Sequence, residues 1–261
     1  MHMTIEEIKE KYRLKSDWHT HTVYSRVGPY LHGKGRIIDN ARAAAKKGLE
    51  QVAITDHGPT DFYGLSMKNI PKIREDIAKA LKKFPGLKIK LGVEADIVDT
   101  PNGLDVPPED FAKFDFVNAG YHYVPNCHMI ANWLSFRMPC PAFICEKLRK
   151  QNTERIVRAL KSNDIYILTH PGDKAYIDEH AVAKACEETG TLVEINARHR
   201  HPDMDDLRIY EQYDVKFAIS SDAHRPKHVG RYAESMMLAL DAGIDPARIV
   251  NIEEMQKPQE E

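Results

Sequence analysis

The stretch SDWHTHTVYS, Ser16–Ser25, places His19 and His21 two positions apart after a short run of strand character. Residues i and i+2 of a strand point to the same side, so these two imidazoles share one surface. Such a pair is either half of a metal site or an accident of spacing. The rest of the chain has to decide.

Outward from that stretch, strand-like and helix-like segments alternate. After LKSDWH, the runs EQVAITDHG, LKIKLGVEAD, FDFVNAGYH, DIYILTHPG, TLVEINARHR and DVKFAISSDAH read as six further strands. Several are almost continuously apolar, as strands covered on both faces are. Between them, GRIIDNARAAAKKGL carries Ile37, Ile38, Ala41, Ala45 and Leu49 at helical spacing, and NIPKIREDIAKALKKF carries Ile70, Ile73, Ile77, Ala80, Leu81 and Phe84. Further helices are expected over 4–11, 142–162, 175–189, about 203–212 and 228–242. Residues 123–141, rich in aromatics and proline, read as a long loop with one short helix near 129–136. The alternation predicts parallel βαβ units in one domain spanning 1–261, with a frayed tail from about 253. No glycine-rich phosphate loop, fixed-period repeat or linker interrupts it.

The chain has 261 residues, 42% hydrophobic, enough for a core without disulfides. Its 37 basic and 39 acidic side chains leave a net charge of -2, which steers it neither to nucleic acid nor to anionic lipid. No apolar stretch approaches a membrane span, no secretion signal is expected, and MHM reads as an expression remnant ahead of a native start at Met3, which sets His2 outside the chemistry. The four cysteines, Cys127, Cys140, Cys145 and Cys186, form no C-x-x-C pair. The expectation is unpaired thiols in a reducing cytoplasm. A separate zinc site from Cys127, His128, Cys140 and Cys145 fits no standard spacing.

Histidine is the unusual residue, with 13 in the chain. Each expected strand delivers polar groups at its carboxyl end: His19 and His21, then Asp56 and His57, Glu94 and Asp96, His122, His170, Glu194 and Asn196, and finally Asp222 and His224. In a (β/α) barrel these ends meet at one face. A lone histidine there is usually an ordinary hydrogen-bonded residue. A cluster of imidazolium ions would repel and suffer desolvation, whereas metal ions make neutral imidazole and ionised carboxylate the stable forms. The set is too rich for one ion, and a carboxylate such as Glu94 can bridge two.

DWHTHTVYS, ITDHG, GVEAD, GYH, THPG and SSDAH, in that order over residues 15–231, resemble the motifs of the PHP family, the polymerase and histidinol phosphatase domain. The resemblance implies a distorted seven-stranded (β/α)7 TIM-like barrel and two or three divalent ions, Zn, Mn or Fe. It implies one ion on His19, His21, Glu94 and Asp222, and a second on Glu94, His122 and His170. A third would sit on His57 and His224 with one more ligand from the loop after the first strand. That ligand normally follows the H-x-H closely; here SRVGPYLHGKG offers His32 as the first candidate.

Such a centre suits phosphoester hydrolysis by a metal-bridging hydroxide, with Glu94, Asp222 and His224 at the chemistry. Arg198, Arg225 and Arg231 are the candidate phosphate ligands, since Arg meets phosphate in a bidentate way. Asp56 reads as an orienting or turn residue, Ser220 and Ser221 as structural, and His199 and His201 as near the pocket but outside the ligand set. Tyr123, Trp133, Phe136 and Met138 either wall a pocket over the metals or pack locally. A cytoplasmic phosphatase acting on a small phosphate monoester is expected. No stable nucleic-acid or membrane partner is, while a homo-oligomer stays open. A phosphodiesterase or nuclease, an amidohydrolase, and a non-catalytic metal-stabilised scaffold are the competing readings.

Overall fold

Seven short segments pair side by side as parallel strands: β1 (Ser16–Asp17), β2 (Gln51–Ile54), β3 (Lys88–Asp96), β4 (Phe116–Gly120), β5 (Ile167–Leu168), β6 (Leu192–Asn196) and β7 (Phe217–Ser220). Their order in the sheet follows the chain from β1 to β7. The computed structural model describes residues 3–124 and 129–255. Helix α1 (Ile5–Lys11) precedes β1, and α2 (Ile37–Lys46) and α3 (Ile70–Lys83) follow β1 and β2. Helices α4 (Met129–Ser135) and α5 (Ala142–Ser162) connect β4 to β5. Then α6 (Glu179–Thr189), α7 (Met204–Glu211) and α8 (Ala233–Asp241) follow β5, β6 and β7. Every strand expected from the sequence is present, in a nearly closed barrel. Among the described residues no helix is long and apolar enough to cross a membrane.

Side chains alternate across each strand. Val193, Ile195, Phe217 and Ile219 join the main core beneath the helices. Their neighbours Leu192 and Ala218, with Ile167 and Trp18, form a separate small cluster inside the barrel. The same inward register carries Glu94, Asp96, Glu194 and Asn196, all buried. An apolar plug therefore sits below a polar layer.

β1 and β7 share no ladder; one parallel bridge, Thr20 with Ala223, joins the chain just beyond them, where His21 N donates to Ala223 O at 3.0 Å, and side chains close the rest of the seam. Asn251 donates to Ser16 O at 2.8 Å and Ile219 O at 2.7 Å, and accepts from Ile219 N at 3.0 Å. The buried Asp17 carboxylate accepts from Ser221 N, Ser221 Oγ and Gly230 N. Ser221 is thus structural, as expected.

The helix ends follow capping chemistry. Thr4 and Glu7 form a reciprocal box on α1, Asp203 and Asp206 one on α7, and Asp178 caps α6, which ends at left-handed Gly190. That cap starts α6 at Glu179 rather than 175. The last helix starts at 233 rather than 228, because Pro226–His228 forms a 3-10 turn.

Two further expectations are corrected. Glu253 and Glu254 are not frayed: Ile252–Glu254 pairs antiparallel with Tyr12–Leu14. Cys140 and Cys145 are not free thiols but a disulfide. The proline turn that opens α5 brings their Cα atoms to 6.0 Å, within bridging range. Cys127 and His128 lie outside the described residues, so the four-residue zinc site is left with two cysteines bonded to each other.

Candidate metal centre

Glu94 sits at the focus of the carboxyl-end histidines. Its Oε2 lies 3.1 Å from His19 Nε2, 3.5 Å from His21 Nε2 and 3.1 Å from His57 Nδ1. Its Oε1 lies 3.0 Å from His170 Nε2 and 3.4 Å from His122 Nε2, and accepts from Thr169 Oγ1 at 2.8 Å. The two oxygens thus face two different groups of imidazoles. Asp222 mirrors this at the far side. Its Oδ1 is 3.2 Å from His21 Nε2 and 3.1 Å from His224 Nδ1, and its Oδ2 is 3.0 Å from His199 Nε2.

Gly120 is needed for this approach. A Cβ there would stand 2.4 Å from Thr169 Oγ1 and 3.0 Å from Glu94 Oε1. His170 and Asp222 adopt φ of 30° and 46°, a left-handed conformation that costs non-glycine residues about 1–3 kcal/mol each. The strain turns both side chains back into the cluster.

Outer partners set the direction of the rings. His19 Nδ1 meets Glu194 Oε1 at 2.7 Å, and His122 Nδ1 meets Asp96 Oδ1 at 2.6 Å. Each ring is thereby held with Nε2 toward Glu94, the arrangement that presents a lone pair to a metal. Glu194 also accepts from His170 N and Asn196 Nδ2. Asp56 accepts from Thr22 N, Thr22 Oγ1 and Ser25 Oγ, so it braces the turn after His21 rather than facing the centre.

The donor set fits divalent cations. Glu94 Oε2, Asp222 Oδ1, both nitrogens of His57 and His224 Nε2 are buried without a well-directed hydrogen bond, although they converge. Burial opposes charge on His19, yet Glu94, Glu194 and Asp222 outweigh it and hold its pKa well above the ordinary value. Burial, then His224 and His57, push His21 well below. Burial would raise Glu94, but His19, His122 and His57 hold it well below the usual carboxylate range. Protons alone thus leave charged and neutral rings in contact, whereas cations satisfy every lone pair at once. Ligand atoms fall within 4.8 Å of one another in His19–His21–Glu94, His57–Glu94–His122, His21–His57–His224 and His170–His199–Asp222.

His32 lies beside this set. Its ring centroid is 4.3 Å from that of His224 and 5.3 Å from that of His57, and it stacks on Tyr63. Burial, with His224 and His57, pushes its pKa down to about 3. His199 departs from expectation: its Nε2 touches Asp222 and its Nδ1 lies 2.9 Å from Asp173, so it belongs to the cluster. Asp173 and Lys174 were also missed. They follow THPG directly, and that position after a strand end was the available signal.

A cavity of about 570 Å³ opens over the centre, lined by His32, His122, Lys174, Arg198 and His199, among others. Of the three arginines expected to bind phosphate, Arg198 lines it. Arg231 does not: it lines another cleft with Arg13, Lys47 and Leu49, ahead of β2. The chain after His224 turns back through Pro226–His228, and Gly230 N docks on Asp17, which carries Arg231 away from the centre. Arg225 is exposed on that returning turn and is absent from the cavity lining.

Comparison with known proteins agrees with this architecture. The family model of the PHP domain matches residues 17–189. A probable phosphatase of Thermoanaerobacter sp. strain X514 is 31% identical over 254 residues, covering 92% of this chain and 91% of its own. The fold is similar to that of histidinol phosphate phosphatase from Lactococcus lactis, solved with zinc, L-histidinol and phosphate. The TM-score is 0.62 at 16% identity, over 88% of this chain and 94% of that one. It also resembles a chain described under the structures of YwqE from Bacillus subtilis and CpsB from Streptococcus pneumoniae, unique metal-dependent tyrosine phosphatases, with a TM-score of 0.50 at 16% identity over 87% of this chain and 86% of that one. With the motifs in order along the barrel and the histidines gathered at its carboxyl end, the chain belongs to the PHP domain family.

Proposed function

We propose that the protein is a metal-dependent phosphatase that hydrolyses phosphate monoesters of small metabolites. The observation that carries this reading is Glu94, whose two oxygens face separate sets of imidazoles at 3.0–3.5 Å. Two or three divalent ions, Zn, Mn or Fe, would acidify a water and offset charge on the phosphoryl oxygens. His19, His21, Glu94 and Asp222 would hold one, and Glu94, His122 and His170 a second. His57 and His224 would hold a third with His32, which stands beside both.

Arg198 supplies a fork of donors at the mouth, and Lys174 a second cation. Asp222 anchors His199 and Arg198 through one oxygen while its other faces the histidines. The cavity suits a small ester, and the near-neutral net charge argues against a nucleic-acid partner. The same reading takes it as a single-domain enzyme of the cytoplasm, against which the Cys140–Cys145 disulfide counts.

The test is hydrolysis of a matched monoester and diester by demetallated protein given Mn or Zn separately, normalised to bound metal. Monoester preference is expected. Diester preference would transfer the reading to a phosphodiesterase, and activity on neither would overturn it.

A further inference from the structure

Helix α4 is inside out. An ordinary surface helix buries its apolar stripe and exposes its polar one. In α4 the buried residues are polar, Asn132 and Ser135, while Ile130 is 66% and Trp133 43% exposed. The polar face is locked from below. Asn132 donates to Tyr121 Oη at 3.1 Å and to Asn152 Oδ1 at 3.2 Å, and accepts from Asn152 Nδ2 at 2.9 Å. Residues three apart share a helix face, so this lock on Asn132 and Ser135 turns Ile130 and Trp133 outward together.

Outward here means into the cavity over the metal centre. Ile130, Trp133 and Tyr123 line it from the β4–α5 connection, and Phe62 and Tyr63 from the loop after β2. Phe62 is itself 53% exposed. The polar lining is Lys174, Arg198, His199 and His122 from beyond the strand ends, with His32 and Asp61 from the loops after β1 and β2. The cavity thus joins cations and imidazoles suited to phosphate with an aromatic and aliphatic surface, in which Tyr63 stacks on His32, Arg137 lies 4.6 Å over the Trp133 ring, and the outer faces of Ile130, Trp133 and Phe62 stay exposed. Phe136 and Met138 do not contribute: Phe136 stacks on Tyr176, and Met138 is exposed outside the lining.

Resting on the phosphatase reading, we propose that α4 is a leaving-group platform, and that the preferred substrates are monoesters whose alcohol carries a flat or apolar group. Polyhydroxylated alcohols would leave this surface dry without satisfying their own hydroxyls. The volume limits the alcohol to a small molecule.

The test compares 2-phenylethyl phosphate with glycerol 1-phosphate. Both are alkyl esters, so a difference reports recognition of the ring more than leaving-group reactivity. The metal-replete protein is expected to favour the phenylethyl ester by about tenfold or more in kcat/KM. Trp133→Ala and Ile130→Asn are each expected to shrink that ratio, through KM for the aromatic ester. A ratio near one, or a ratio that neither variant changes, would overturn the platform. If neither ester is hydrolysed, the phosphatase reading fails first. Binding of 2-phenylethylphosphonate against ethylphosphonate, followed by tryptophan fluorescence, still decides the platform. Tighter phenylethyl binding that weakens in Ile130→Asn supports it, and equal binding overturns it.

Discussion

At the scale of single residues, the centre depends on Glu94 more than on any one histidine. Each of these imidazoles meets one oxygen of Glu94, and Glu94 alone reaches both groups of rings. Replacement by Gln keeps the shape and removes the charge. Outer partners of metal ligands typically contribute 10–100-fold to affinity or activity, so a shared ligand sets a larger loss. Glu94→Gln is expected to lower hydrolysis by more than about a hundredfold and to reduce bound metal, with the circular dichroism spectrum unchanged. A fully active, metal-replete variant would remove Glu94 from the bridging role. This residue was legible in the sequence because GVEAD ends a strand. His199 reads in the sequence as near the pocket but, on the family pattern, outside the ligand set; the turn at Asn196 draws it into the cluster, Arg198 N and His199 N both donating to Asn196 Oδ1.

At the scale of elements, α6 carries a buried acid that the chemistry does not use. Glu179 opens the helix close to Asp206 of α7, and its Oε2 is buried without a partner. Burial, then Asp206, push its pKa up to about 8, and the nearby Tyr210 hydroxyl opposes them. A carboxyl raised in the folded state keeps its proton where the unfolded chain, with a value of about 4.3, has lost it. Its stabilising contribution is therefore present below about 4.3 and falls by about 1 kcal/mol per pH unit until the folded value near 8 is passed. Glu179→Gln removes that slope. Urea denaturation at pH 5 and pH 8 is expected to show the variant gaining on the parent as pH rises. A constant difference would show that Glu179 titrates normally. The pattern around 129–136 was readable as a short helix, but not its orientation, because Asn132 finds its partners on Tyr121 and on α5.

At the scale of the whole molecule, the barrel is closed between β1 and β7 by a single backbone bridge, Thr20 with Ala223, and by side chains below it. Asn251 satisfies three backbone groups of β1 and β7. Each stranded group costs about 1 kcal/mol or more, so Asn251→Ala is expected to cost about 3 kcal/mol in urea denaturation. A loss under about 1 kcal/mol would mean that water or a shift of the seam replaces the amide. The same seam decides which basic residues reach the centre. Gly230 on Asp17 draws the chain back from His224, and Arg231 goes with it.

What was readable in the linear chain is what repeats locally. Periodicity of two and 3.6 revealed the strands and helices, and the residues closing each strand revealed the histidine and carboxylate cluster, because a parallel barrel sends every strand end to one face. The fold alone decided the contacts between residues far apart in sequence. These include Glu194 behind His19, Asp96 behind His122, His32 beside His224, and the exclusion of Arg225 and Arg231 from the cavity lining. Those depend on where loops return after leaving a strand, which follows from buried hydrogen bonds such as Asp17 to Gly230 and not from the spacing of residues along the chain.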